Sequence, residues 1–182
     1  MLIDPIGEFR GVILIAAPHM DDGVLACGGT IAMLPRKDRI YAVYATDGTA
    51  SPAPVVPWRD SVSPDLGEVR AREARVAMGS LGVPEENIEF LGLPEGELGK
   101  REGTLVRSLR ELVERIDPSH ILMPFRYDRH ADHLALNHAV VAACQEVPYQ
   151  GDLLEYFVYY RSRLLPAGDL RAYIDPEHLL EV

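Results

Sequence analysis

Two short stretches carry side chains able to do chemistry. Pro18-His19-Met20-Asp21-Asp22 sets one imidazole beside two carboxylates, and His130-Ala131-Asp132-His133 sets two imidazoles beside a third carboxylate. Packing explains neither, because an unpaired buried carboxylate is costly and normally finds a cation or a metal. Two imidazoles and one carboxylate around a divalent ion, with a position left for water, form the ligand set of a catalytic zinc site; structural zinc sites are usually closed by cysteines. Cys27 and Cys144 fall outside both stretches, in apolar helical settings, and read as free buried thiols. Of Asp21 and Asp22, one would bind the ion and the other would stand free to take a proton from water that the ion has acidified. The remaining histidine, as donor or cation, would stabilise an oxyanion or protonate a leaving nitrogen. That chemistry is amide hydrolysis. Asp132 reads as a group that orients a histidine. His138 lies on a different helical face from His133, and His120 and His178 have no partners in sequence, so all three read as structural. Asp47 fits a cap, a turn or a support for His19 equally well.

These stretches need rigid elements to hold them. Val12 to Ala16 is an unbroken apolar run, as expected of a strand buried on both faces in a parallel sheet, and His19 to Asp22 follow at its carboxyl end. Open α/β sheets put their ligands at that end. Asp22 can cap the next helix, in which Val24, Leu25, Cys27, Ile31 and Leu34 form an apolar face and Gly28-Gly29 permit close approach to the sheet; Pro35 helps to end it. Ile40 to Ala45 reads as a strand, Glu68 to Leu81 as a helix stopped by Gly82, and Ile88 to Leu91 as a short strand. Leu93 to Gly103 reads as loop and Thr104 to Ile116 as an amphipathic helix. His120 to Met123 is a strand, Leu134 to Cys144 a helix, and Leu153 to Tyr160 a further strand interrupted by Glu155. Residues 49–65, with four prolines and Trp58, read as a long loop of the kind that serves as a lid or binding loop. The segment from Leu164 to Val182 has weak pattern. The alternation implies an α/β fold: one three-layer Rossmann-like domain over residues 1–182, with a mostly parallel sheet.

Composition narrows the partners. With 182 residues, 47 % hydrophobic and 25 % charged, the chain suits one globular domain with a substantial core. A formal net charge of −10 argues against a surface that grips nucleic acid. No apolar run reaches the roughly 18 to 20 residues that span a bilayer. Asp4 and Glu8 stand where a secretion signal would be basic and then apolar, so the expected location is cytoplasmic. The first βα turn holds Asp21 and Asp22 where a dinucleotide site needs glycines, and their charge would repel a pyrophosphate.

At this point the residues resemble a family. Pro18-His19-Met20-Asp21-Asp22 with Gly28-Gly29-Thr30, Thr46-Asp47-Gly48, Arg70-x-x-Glu73-Ala74 followed by Leu81-Gly82, and His130-x-Asp132-His133 resemble the LmbE-like (PIG-L) N-acetylglucosaminyl deacetylases over about residues 10–160. The resemblance implies a Rossmann-like fold, a zinc ion or another divalent metal, and an N-acetylglucosamine-type conjugate as substrate. It also implies His19, Asp22 and His133 as metal ligands, Asp21 as general base, His130 as the oxyanion or general-acid group, and Arg70 as a substrate contact. Two positions depart from the family motif His-Pro-Asp-Asp-Glu: Met20 replaces the proline and Gly23 the glutamate, neither of them a ligand. The chain also ends earlier than family members usually do, which bears on the substrate wall and on a homo-oligomer contact. The rival functions are a metal- or sugar-binding module with little turnover and a metal-dependent amidase acting on another N-acyl substrate.

Overall fold

The computed structural model describes residues 9–50 and 66–158. The expected alternation of strand and helix is present: β1 (Ile13–Ala17), α1 (Asp22–Met33), β2 (Ile40–Thr46), α2 (Leu66–Ser80), β3 (Ile88–Leu93), α3 (Glu102–Ile116), β4 (His120–Pro124), α4 (Ala131–Gln145) and β5 (Asp152–Tyr156). The strands form one sheet in the order β3-β2-β1-β4-β5, and every pairing is parallel. β1 therefore lies at the centre, and its five residues are all buried. Alternate side chains serve the two faces, as strand geometry requires. Ile13, Ile15 and Ala17 pack with Cys27 and Ile31 of α1 and with Ala74 and Met78 of α2. Leu14 and Ala16 pack with Leu105, Leu109 and Leu112 of α3 and with Leu136, Ala139 and Val140 of α4. Helices cover both faces, which is why β1 reads as a continuous apolar run.

Several boundaries and roles differ from the sequence reading. α4 starts at Ala131 rather than Leu134, because the His130 imidazole caps it by accepting the Asp132 N–H. Within the segment expected to be loop, Leu98–Arg101 forms a 3₁₀ turn and α3 begins at Glu102; Leu98 is fully buried and anchors it. β5 ends at Tyr156, and Tyr159 and Tyr160 lie outside the described residues. So do residues 51–65 of the long loop expected over 49–65, with Trp58, and His178 and the segment from Leu164 onward. Gly28 does not bring α1 onto the sheet: a Cβ there would stand 3.8 Å from Leu81 Cδ1 beyond α2, while Gly29 is exposed. Leu25, expected in the core, is 59 % exposed.

Gly23 has a steric reason. It is buried against the sheet, and a Cβ there would lie 3.0 Å from Met78 Cε and 3.2 Å from the Tyr44 hydroxyl. Tyr44 and Met78 thus occupy the room that a longer side chain at this position would need. The departure from the family motif is a packing exchange that leaves Asp21 and Asp22 in place.

Candidate active site

β1 and β4 are neighbours at the point where strand order reverses, which is where open α/β sheets form a crevice at their carboxyl edge. The turn after β1 carries His19 to Asp22. The Thr46 backbone N–H and its hydroxyl both donate to the Pro18 carbonyl, at 3.0 and 2.8 Å, and so pin that turn to the end of β2. His133 sits one helical turn before Leu136 and two before Val140, on the buried stripe of α4. The packing that seats α4 on the sheet therefore aims His133 at the crevice.

The two stretches meet. Asp22 Oδ2 lies 2.9 Å from His19 Nδ1 and 3.3 Å from His133 Nε2. His19, Asp22 and His133 are all buried. Each imidazole turns its other nitrogen to a second carboxylate: His19 Nε2 to Asp132 Oδ2 at 3.3 Å, and His133 Nδ1 to Asp128 Oδ2 at 3.0 Å. This is the arrangement in which metal-binding histidines are oriented by outer carboxylates, so the donor set fits a divalent cation. Asp132 is fixed in turn by the backbone N–H groups of Gly96, at 2.7 Å, and Leu98, at 3.2 Å. One nitrogen from each of His19, His130 and His133 also falls within 4.8 Å of the others, so two groupings of three share His19 and His133. Asp22 is the better third member. It is buried, anionic and already between the two rings, whereas His130 uses Nδ1 to accept the Asp132 N–H at 3.2 Å. Asp22 is no helix cap, contrary to the sequence reading: it opens α1, and its carboxylate accepts from the His19 backbone N–H at 3.1 Å.

Charge follows from these contacts. Burial works against the charge on His19, but hydrogen bonds to Asp132 and Asp22 outweigh it and raise its pKa to about 9. The same balance, with Asp128 and Asp22 as partners, raises His133 to about 9. Burial also opposes ionisation of Asp22, yet its hydrogen bonds to His133 and His19 hold it well below the usual carboxylate range. His130 moves the other way, lowered by burial and by the nearby His19 and His133 charges. With Nδ1 accepting a backbone N–H, neutral His130 carries its proton on Nε2 and is a hydrogen-bond donor.

Asp21 stands outside the buried cluster. Its side chain is half-exposed, and Oδ1 lies 3.7 Å from Arg70. Arg70 reaches Glu95 Oε2, also at 3.7 Å, and Glu95 Oε1 lies 3.9 Å from His19 Nε2. Arg70 is thus a strut between two carboxylates at the rim, and Asp21 is paired rather than free. Asp128 and Glu95 were not singled out in the sequence. Asp128 could have been found from its place among the polar residues after β4, but Glu95 gives no signal in a loop without periodicity. Asp47 resolves into a turn former: its Oδ1 accepts from the backbone N–H groups of Thr49 and Glu95, which ties down the loop that carries Glu95. His138 is exposed. His120 lies at the opposite edge of the sheet, with Nδ1 3.1 Å from Asp152 Oδ2 and Nε2 accepting the Arg10 N–H.

Residues 14–144 match the family described as PIG-L, GlcNAc-PI de-N-acetylase. The chain belongs to that family. It is a deacetylase of the PIG-L (LmbE-like) type. Among curated relatives, the "uncharacterized deacetylase YaiS" of Escherichia coli K12 is 27 % identical over 153 residues, covering 81 % of this chain and 75 % of its own. The antimicrobial reagent A40926 pseudoaglycone deacetylase Dbv21 superposes with a TM-score of 0.68 at 22 % identity, covering 88 % of this chain and 71 % of its own. GalB, the 4-carboxy-2-hydroxymuconate hydratase of Pseudomonas putida KT2440, superposes with a TM-score of 0.62 at 23 % identity, covering 74 % and 55 %. At such identities a structural likeness shows the fold alone, and a hydratase among the neighbours shows that this fold hosts other reactions. Among the described residues no helix is long and apolar enough to cross a membrane.

Proposed function

We propose that the chain is a zinc-dependent hydrolase, acting in the cytoplasm, that removes an N-acetyl group from an N-acetylglucosamine-type conjugate. The observation that carries this reading is the Asp22 oxygen between His19 and His133, each ring backed by its own carboxylate. His19, Asp22 and His133 would hold the ion, and Asp132 and Asp128 would fix the two rings. When bound, the ion supplies a Lewis acid that acidifies water and polarises the amide carbonyl. Asp21, next in the chain and outside the cage, takes the proton from the attacking water and returns it to the leaving amine. His130, donating through Nε2, stabilises the charge that develops on the carbonyl oxygen. Arg70 orients the sugar from the rim. The N-acetylglucosamine specificity rests on the family's description.

The direct test is metal content together with acetate release. About one zinc per chain after purification, and acetate liberated from an N-acetylglucosaminide, is the expected result. Metal without acetate across a panel of N-acetylated glycosides would favour the binding-module reading, and turnover confined to non-sugar amides would favour another amidase. A second outcome follows from charge. With pKa values near 9, His19 and His133 are both protonated at pH 7 in the metal-free protein, so an incoming cation must displace their protons. Apparent affinity should therefore climb as pH rises and level off above about 9. Calorimetry in buffers of different ionisation enthalpy would count the protons released, and a pH-independent affinity would remove these two rings from the ligand set.

A further inference from the structure

Glu155 stands in β5 between Leu153-Leu154 and Tyr156, and its side chain is only 13 % exposed. A largely buried carboxylate needs partners to offset its lost hydration. Oε1 accepts from Asn137 Nδ2 at 2.9 Å and from the Arg126 backbone N–H at 3.2 Å, and Oε2 accepts from Arg126 Nε at 2.8 Å. Asn137 is itself buried, and the same Nδ2 donates to the Pro124 carbonyl at 2.7 Å. One carboxylate therefore joins the end of β4, the buried face of α4 and β5.

Each joined piece leads to the site. Asn137 lies one helical turn after His133, on the same face of α4. Pro124 and Arg126 flank Phe125, whose carbonyl accepts the Asp128 N–H at 3.0 Å, so the turn that carries Asp128 starts from a fixed residue. β5 is also tied to the other half of the site, since the Tyr156 hydroxyl donates at 2.8 Å to the carbonyl of Ala16 in β1, shortly before His19. Glu155 thus sets, from one point, both sides of the 3.0 Å contact between Asp128 Oδ2 and His133 Nδ1. Stability alone does not call for a carboxylate here. Replacing a desolvated ion pair by a packed apolar residue is often neutral or stabilising, and leucine would continue the apolar run of β5.

We propose that Glu155 is a positioning residue for the metal site, acting through Asn137 and Arg126 on the alignment of Asp128 with His133. The proposal rests on His133 being a ligand, as in the deacetylase reading, and adds to that reading a residue that touches neither metal nor substrate.

The experiment titrates zinc calorimetrically into the metal-free full chain and into Glu155→Leu, Glu155→Gln and Arg126→Ala, each with Asp128 present and with Asp128→Asn. Glu155→Leu should weaken zinc binding by about tenfold, the lower end of what an outer partner contributes, while the melting temperature of the metal-free chain changes little. Glu155→Gln, which keeps an acceptor for Asn137 and for the Arg126 N–H, should recover most of that loss. In the Asp128→Asn background the loss on Glu155→Leu should shrink to less than about twofold, because the contact being aligned is already gone. Arg126 is exposed, so Arg126→Ala makes the same comparison should Glu155→Leu fail to fold, with a loss of about threefold confined to chains that keep Asp128. Unchanged zinc affinity in the folded variants, or an equal loss with and without Asp128, overturns the proposal. A zinc-free readout keeps the two readings apart. The downfield imidazole N–H resonance of His133, lost in Asp128→Asn, should be broadened or lost in Glu155→Leu as well. If the unaltered chain binds no zinc, the deacetylase reading fails, and the resonance still decides the alignment: its loss in Glu155→Leu keeps the role of Glu155, and its persistence overturns it.

Discussion

Replacing Asp22 with alanine is expected to abolish metal retention and deacetylation together while leaving the chain folded. Its Oδ2 is the atom shared by the two rings, at 2.9 and 3.3 Å, and among the described residues no other carboxylate contacts both. Removing it takes away one proposed donor and, among the described residues, the one negative charge between the rings. The loss in metal affinity should exceed the 10- to 100-fold typical of removing an outer partner, so Asp128→Asn makes an internal comparison. Fold should survive, since His19 keeps Asp132 and His133 keeps Asp128, and both rings can become neutral. Metal content after dialysis and a circular dichroism melt read the two effects separately. Full metal content in Asp22→Ala would mean that the grouping of His19, His130 and His133 holds the ion, and His130 would then be the residue to remove.

The second large effect is expected from Asp21→Asn. This substitution keeps the shape of the side chain and deletes its ability to accept a proton, at a position that is half-exposed and separate from the buried cluster. Turnover should fall by about 10² to 10⁴, the range that general acid–base groups contribute. Metal content should not change, and KM should move little, since Arg70 retains Glu95. Undiminished kcat in a metal-loaded variant would remove Asp21 from the reaction and leave Glu95, whose Oε1 lies 3.9 Å from His19 Nε2 and which is neither a proposed ligand nor a support for a ring, as the candidate base.

Periodicity and chemistry make different parts of this protein legible. The central strands were readable because parallel strands covered on both faces write unbroken apolar runs, as β1 does, and α3 was readable because it repeats its apolar residues at helical spacing. The helix starts were harder, since the cap of α4 is an imidazole, a residue type with little capping signal of its own. Residue type alone marked the two stretches around His19 and His133 as able to do chemistry, and the choice of Asp22 over Asp21 as a ligand came from the family resemblance. Asp128, five residues from its partner His133, was within reach of the same reading, whereas Glu95 was not, because its role depends on which chain segments the sheet brings together. The structure sets Asp22 between the two rings and Asp21 beside Arg70, a pairing that required the α1–α2 neighbourhood. Leu25 was misjudged for the same reason: its spacing fits the buried face, and only the gap beside the small residues of α2 leaves it exposed.

The cage joins His19 to Asp132 across 113 positions of sequence. During translation, then, the amino-terminal half lacks the full proposed ligand set, because His133 and both supporting carboxylates, Asp128 and Asp132, are still inside the ribosome or unmade. Ion uptake becomes feasible only after the helix bearing His133 has emerged and its strand has docked beside the first. If the proposed site holds zinc, a nascent chain arrested before that point should bind none tightly, and the full-length product would acquire its cation late in folding.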